Sequence, residues 1–211
     1  MDWQLNAAEA RVLGCLLEKE IATPDYYPLS LHALVNGCNQ KSNREPVVNY
    51  DEATVEEALA GLRAQGLSVR ITGGDSRVPK HAQRFTEKFN LGRREAAVMC
   101  LLMLRGPQTT GELRGRTERL YPFDDLEAVE GTLNHLAEME FTKQFPRQPG
   151  FKEPRWGHLL SGELVGMEAP PPAAERGPSD RERIAALETA LEELRREFED
   201  FRRGPKAGAG I

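Results

Sequence analysis

The 211 residues predict a mainly α fold with small β-hairpins (α+β), organised as two winged-helix domains in tandem plus a C-terminal heptad helix. Three observations carry this. Three helical patterns followed by a strand pair occur in that order twice. A faint repeat links the two runs: Leu5-x3-Glu9-x2-Val12 returns as Leu91-x3-Glu95-x2-Val98, and Val55-x3-Leu59-x2-Leu62 returns as Val129-x3-Leu133-x2-Leu136. A proline-rich stretch, APPPAAERGPS, then separates these runs from a heptad segment. The expected boundaries are 1–90 and 91–168 for the two domains, 169–179 for the linker, 180–203 for a short coiled-coil helix and 204–211 for a flexible tail. A repeat of about 80 residues is too long for a solenoid unit and suits two related small domains.

In the first run, Asn6 is a good N-cap with Glu9 three residues on, so a helix is expected to about Ile21, burying Leu13, Leu16 and Leu17. Pro24 and Pro28 break the chain. Ser30 then caps a second helix whose Leu31, Leu34, Val35 and Cys38 fall at helical spacing. Asp51 caps a third, carrying Val55, Leu59 and Leu62 and ending near Gly66. Leu67–Ile71 alternates like a half-buried strand. A polar turn at 73–77 leads to a return strand expected around Gln83–Phe89.

The second run predicts helices near 93–104, 110–119 (Thr109 capping, Glu112 at the third position) and 125–139. Strands at 141–145 and near Trp156–Leu160 follow. In the last segment Ile184, Leu187, Leu191, Leu194, Phe198 and Phe201 fill the a and d positions of three heptads. Ser179 with Glu182 offers a capping box. In a parallel dimer two of the three g-to-e pairs, Arg183–Glu188 and Glu197–Arg202, are opposite in sign, which points to a homodimer. The same stripe would also let the helix fold back on its own domain.

Composition narrows the function. The net charge is −5, and no segment is a polycationic arm. No run approaches the ~18 apolar residues of a membrane helix. The N-terminus has no secretory pattern. Three scattered cysteines form neither a disulfide framework nor a metal pattern. A cytoplasmic location with no membrane contact is expected. No Walker A, dinucleotide or metalloprotease motif is present, and the four histidines (His32, His81, His135, His158) are dispersed. Cys38 near His32 could pair as nucleophile and base, but Cys38 lies on an apolar stripe and His32 off it. The expectation is no enzyme, no catalytic residue, no cofactor and no metal. Trp3 and Trp156 read as packing residues.

Specific runs then resemble the bacterial YceH-like family. They are Thr23-Pro24 with Tyr27-Pro28-Leu29-Ser30; Cys38-Asn39-Gln40-Lys41-Ser42-Asn43-Arg44-Glu45-Pro46-Val47; Arg77-Val78-x-Lys80 leading to Gln83-Arg84-Phe85; and Leu104-Arg105-Gly106-Pro107-Gln108-Thr109 with Gly111-Glu112-Leu113-Arg114. Residues 4–162 carry the likeness. Thr110 stands where the pattern often has proline, and His81 where tyrosine is common. The resemblance implies a tandem winged-helix fold and no established activity; it says nothing of the heptads.

The working function is a DNA-binding, transcription-regulator-like role. Recognition helices need donors for phosphates and base edges. Here the third helices open with Asp51, Glu52, Glu56 and Glu57, and with Asp124, Asp125, Glu127 and Glu130, so they read as mainly structural. Contact is expected instead from wing residues Arg77, Lys80 and Arg84 (with His81 beside them), from Arg147, Lys152 and Arg155, and from Asn39, Gln40, Lys41, Asn43 and Arg44. In that loop Arg44 could also pair with Glu45, and Asn39 and Asn43 could bond backbone. The alternative is a non-enzymatic adaptor that binds an unidentified protein partner through the same scaffold. For the heptads, Leu187→Asp/Leu194→Asp is expected to halve the mass measured by light scattering; an unchanged mass removes them from any self-association.

Overall fold

The computed structural model describes residues 4–73, 76–147, 150, 152–162, 194–196 and 198, with backbone alone at Ser76 and Arg77. Contacts divide the chain into units 1–169 and 170–211. In the second, residues 194–196 and 198 are helical, with Leu194 and Phe198 exposed. Ile184, Leu187, Leu191 and Phe201, the linker 169–179 and the tail 204–211 lie outside the described residues.

The first unit is mainly α with small antiparallel sheets. It runs α1 (Ala7–Ala22), a 3₁₀ turn (Pro24–Tyr26), β1 (Leu29–Ser30), α2 (Leu31–Cys38), α3 (Glu52–Ala64), β2 (Ser68–Gly73), β3 (Ser76–Gln83) and α4 (Phe85–Phe89). It continues through α5 (Arg93–Arg105), α6 (Thr110–Thr117), α7 (Leu126–Glu138), β4 (Thr142–Phe145) and β5 (Arg155–His158).

The helix starts follow from their caps. Asn6 Oδ1 accepts from the Glu9 N–H at 2.9 Å while Glu9 accepts from the Asn6 N–H at 2.8 Å, a closed capping box. Thr109 and Glu112 repeat it at α6, at 3.1 and 2.9 Å. Ser30, Asp51 and Asp125 cap α2, α3 and α7.

The first sheet has strand order β1-β3-β2, with Ser68 opposite Gln83 and Arg70 opposite His81. The second pairs Thr142 with His158 and Gln144 with Trp156. A correspondence between the halves lies just before their second helices. Leu29–Ser30 pairs with β3, and Gln108 makes an isolated bridge to Trp156 of β5. Each return strand is thereby tied to the segment that launches α2 or α6.

One expected element is different. The return strand is Ser76–Gln83, and the residues around Phe85–Phe89 form α4. Gln83 ends the strand: its Oε1 accepts from the Thr86 N–H at 3.0 Å and its Nε2 donates to Thr86 Oγ1 at 2.7 Å. One turn on, Phe85 and Phe89 meet each other and Phe141 edge to face, with centroids 4.9–5.4 Å apart. Phe141 comes from the second half, so the two halves share this cluster.

They also share their centre. Residues Glu9–Leu17 of α1 and Glu95–Leu104 of α5 are buried on every side, as helices are when both faces meet protein. Gly14 lets them close: a Cβ there would lie 3.0–3.1 Å from Leu104 and Met103. Cys100 Sγ donates to the Gly14 carbonyl at 3.5 Å. One hydrophobic core therefore runs from Leu5 to Leu160.

Buried charge fastens the 39–46 loop to this core. The Arg44 side chain is 0% exposed and Glu18 16%. Its guanidinium donates to Glu18 Oε2 at 2.6 Å and Oε1 at 3.1 Å, to the Gly37 carbonyl at 2.9 and 3.1 Å, and to the Asn43 carbonyl at 2.9 Å. That engages all five of the donors an arginine has. Burial pushes the Glu18 carboxyl up, but the Arg44 hydrogen bonds and charge outweigh it and leave the group below its ordinary value. Arg11, also buried, donates to the Cys38 and Pro46 carbonyls. The Glu45 N–H reaches the Leu104 carbonyl of α5 at 2.8 Å.

Glu18→Leu is expected to cost about 3–5 kcal/mol in urea unfolding, because it leaves the Arg44 charge buried and unpaired. The double substitution Glu18→Leu/Arg44→Met is expected to cost less than Glu18→Leu alone; simple additivity would refute the pairing.

His158 gives a pH dependence. Burial alone drives its imidazole from its ordinary 6.5 down to about 4. Its Nδ1 and the neighbouring Trp156 Nε1 have no hydrogen-bond partner among the described residues. The folded chain thus holds a neutral ring where the unfolded chain takes a proton. Its contribution is complete above pH 6.5 and is lost as the pH falls toward 4, by about 3 kcal/mol. His158→Gln is expected to flatten this limb of the stability–pH curve; a curve parallel to the wild type would rule the residue out.

Candidate functional site

Helix α3 buries Val55, Ala58, Leu59 and Leu62 and turns Glu52, Ala53, Glu56, Glu57, Ala60 and Arg63 to solvent. The β2–β3 hairpin stands beside it, and its register brings Arg70 next to His81. Between them lies a groove of about 730 Å³, reaching down to Leu31 and Leu59 and walled by Glu56, Glu57, Arg63, Arg70, Val78, Pro79 and His81. Val78 is exposed and Leu59 is buried beneath.

Among the described residues, Glu56, Glu57, Arg63 and Arg70 make no ion pair and no side-chain hydrogen bond. His81 is 7% exposed, and its Nδ1 is buried without a partner among the described residues. Burial, then the Arg63 and Arg70 charges, hold its imidazole below the ordinary value against the opposing pull of Glu56. The neutral ring, two cations and two carboxylates converge on one groove.

The contact residues expected from the sequence are not brought together. Arg44 faces the core. It pairs with Glu18, 26 positions away, rather than with Glu45. The Asn39 side chain is closed on Tyr50, accepting from its N–H and donating to its carbonyl, both at 2.8 Å. Asn43 has a left-handed φ of 59°, and its Oδ1 accepts from Arg105 at 3.2 Å. In that loop Gln40 is half-buried and Lys41 exposed.

On the first hairpin, Lys80 is half-buried, and the Arg77 side chain lies outside the described residues. Arg84 sits past the strand and pairs with Glu87 at 2.9 and 3.1 Å. At the second hairpin Arg147 and Lys152 are exposed. Arg155 instead reaches the Pro107 carbonyl at 2.8 Å and Glu112 at 2.9 Å. Burial raises the Glu112 carboxyl, but the Thr109 N–H and the Arg155 and Arg116 charges bring it below its ordinary value.

Of the one pair considered as nucleophile and base, Cys38 and His32, the histidine is exposed. Cys15, Cys38 and Cys100 are buried. His32 shares a hydrogen bond with Asn36 on its own helix. Trp156 packs in the core. Among the described residues no group of three His, Cys, Asp or Glu side chains could hold a metal ion, and no helix is long and apolar enough to cross a membrane.

Sequence reasoning missed Arg63 and Arg70 and read Glu56 and Glu57 as part of a mainly structural helix. A usable signal existed for Arg63, which falls seven positions after Glu56 on one helical face. None existed for Arg70, whose partnership with His81 requires the return strand to begin at Ser76.

A family model described as "Protein of unknown function, DUF480" matches residues 5–151. Among curated relatives, a "UPF0502 protein" of Solibacter usitatus is 71% identical over 204 residues, 96% of this chain and 98% of the relative. A "UPF0502 protein" of Opitutus terrae is 51% identical over 180 residues, 84% of this chain and 78% of the relative. A third, of Aeromonas hydrophila, is 45% identical over 206 residues, 94% and 95% of the two chains. None of these names is that of an enzyme. The YceH-like resemblance of the sequence is consistent with them, and the chain belongs to the DUF480 family of bacterial proteins.

Proposed function

We propose that the chain is a non-enzymatic scaffold of two winged helices whose ligand is another protein. The repeated order of three helices and a hairpin supports the winged-helix reading, as does the tie from each return strand to the segment before the second helix.

One observation carries the choice of ligand: the solvent faces of both third helices are acidic. Glu52, Glu56 and Glu57 line that of α3, and Glu127, Glu130 and Glu138 that of α7, where Leu126 is also exposed. A winged helix normally presents this helix to the major groove, beside a duplex carrying one negative charge per ≈ 1.7 Å. Carboxylates there repel phosphate. They suit a protein surface with basic side chains. The engagement of Arg44, Arg84 and Arg155 inside the chain further weakens a phosphate footprint.

A second reading, contact with DNA, is favoured by the exposed Arg147 and Lys152 at the second hairpin. Fluorescence anisotropy of the full chain against a random-sequence duplex pool, over a salt series, separates the two. The protein-ligand reading expects no saturable binding below about 100 µM at physiological salt, the weak end of non-specific DNA affinity. Tighter binding that falls steeply with salt and is lost in Arg147→Ala/Lys152→Ala would replace it with the DNA reading.

A further inference from the structure

The geometry points to the groove between α3 and the β2–β3 hairpin as the docking site for an extended segment of the partner protein, one that sets a basic residue beside an apolar residue and an acidic residue beyond. The inference rests on the protein-ligand reading above and names where the ligand sits and what chemistry it carries.

Size is the first support. At about 730 Å³ the groove falls within the range of sites that bury a ligand. Its composition is the second. The side chains along it divide by kind: carboxylates at Glu56 and Glu57, guanidinium groups at Arg63 and Arg70, and apolar surface at Leu59 and Val78. A groove shaped for a nucleic-acid backbone would carry cations alone. One shaped for a purely apolar helix face would not hold four charges.

The third support is that these charges are unsatisfied. Glu56, Arg63 and Arg70 are close enough for their fields to meet at His81, yet no ion pair links any of these or Glu57 to another described residue. An exposed salt bridge contributes little, so leaving these side chains apart costs the monomer little. It keeps both signs available to a ligand whose own charges match them in order. His81 adds an uncharged stretch to the wall between these charges: its ring lines the groove, and its Nδ1 is buried with no partner among the described residues.

Small side chains on the same helix face keep the approach open. Ala53 and Ala60 flank Glu56 and Glu57, and both are exposed. An extended segment can therefore lie along α3 without displacing a long side chain.

The test uses a phage-displayed library of random 12-residue peptides selected on the immobilised full-length chain, followed by anisotropy with the labelled consensus peptide. Enrichment of a lysine or arginine beside an apolar residue, with an acid beyond, is expected. Glu56→Lys/Glu57→Lys should weaken that peptide about tenfold or more, and replacing its basic residue by glutamate should restore binding to this variant. Val78→Asp should also weaken it. All these substitutions are at exposed positions, and circular dichroism checks that the fold survives them. A consensus peptide that binds every groove variant as well as the wild type would overturn the groove while leaving the protein-ligand reading in place. Selection that enriches no sequence would overturn both.

Discussion

The close crossing of α1 and α5 at Gly14 is the constraint on which the rest of the molecule depends. Each helix is buried around its whole circumference over more than two turns, so neither can sit on the surface of its own half. Pressed together, each gives the other the face that its own second and third helices leave bare. The fit is tight because Gly14 has no side chain to hold the helices apart: a Cβ there would sit 3.0 Å from Leu104. Interiors packed at crystal-like density absorb little of such an intrusion. Everything outward of this contact, including the two acidic third helices, takes its position from it.

The loop at 39–46 has the same dependence. Its residues are those a nucleic-acid loop would use, and three of them tie it to the core. Arg44 turns inward to Glu18 of α1, Asn39 closes on Tyr50, and the Glu45 N–H bonds the end of α5. A dense polar run can therefore mark an interior network as readily as a contact surface. The difference lies in partners 11 to 59 positions away, which no local pattern discloses. The buried pair is favourable because every guanidinium donor is met; a half-satisfied network in the same place would be worse than an apolar one.

What could be read in the sequence is what is decided locally. Asn6 with Glu9, Thr109 with Glu112, Ser30 and Asp51 mark helix starts through bonds that span three residues, so their signal survives without the fold. The first-hairpin return strand was less legible for an equally physical reason. Phe85 and Phe89 are four apart, a spacing that places two residues on one face of either a strand or a helix. The Gln83 side chain, bonded to the Thr86 N–H and hydroxyl, favours the helix. The cost of that ambiguity was the groove. Placing the strand too late leaves His81 ahead of it and hides its pairing with Arg70. The charges on α3 were visible throughout, but their meaning depended on what stood opposite.

The crossing of α1 and α5 also sets an order on biosynthesis. Gly14 and Cys100 are 86 residues apart, which at ordinary elongation rates separates their synthesis by about 4–17 s. During that interval Val12, Leu13, Leu16 and Leu17 belong to a helix whose cover has not been made. The nascent chain thus carries an exposed apolar ridge for longer than a small domain needs to fold. The capping box at Asn6 and the buried Arg44–Glu18 pair both lie on the early side of that gap. They can fix α1 against α2 and the 39–46 loop, leaving one prepared face to receive α5 when it emerges.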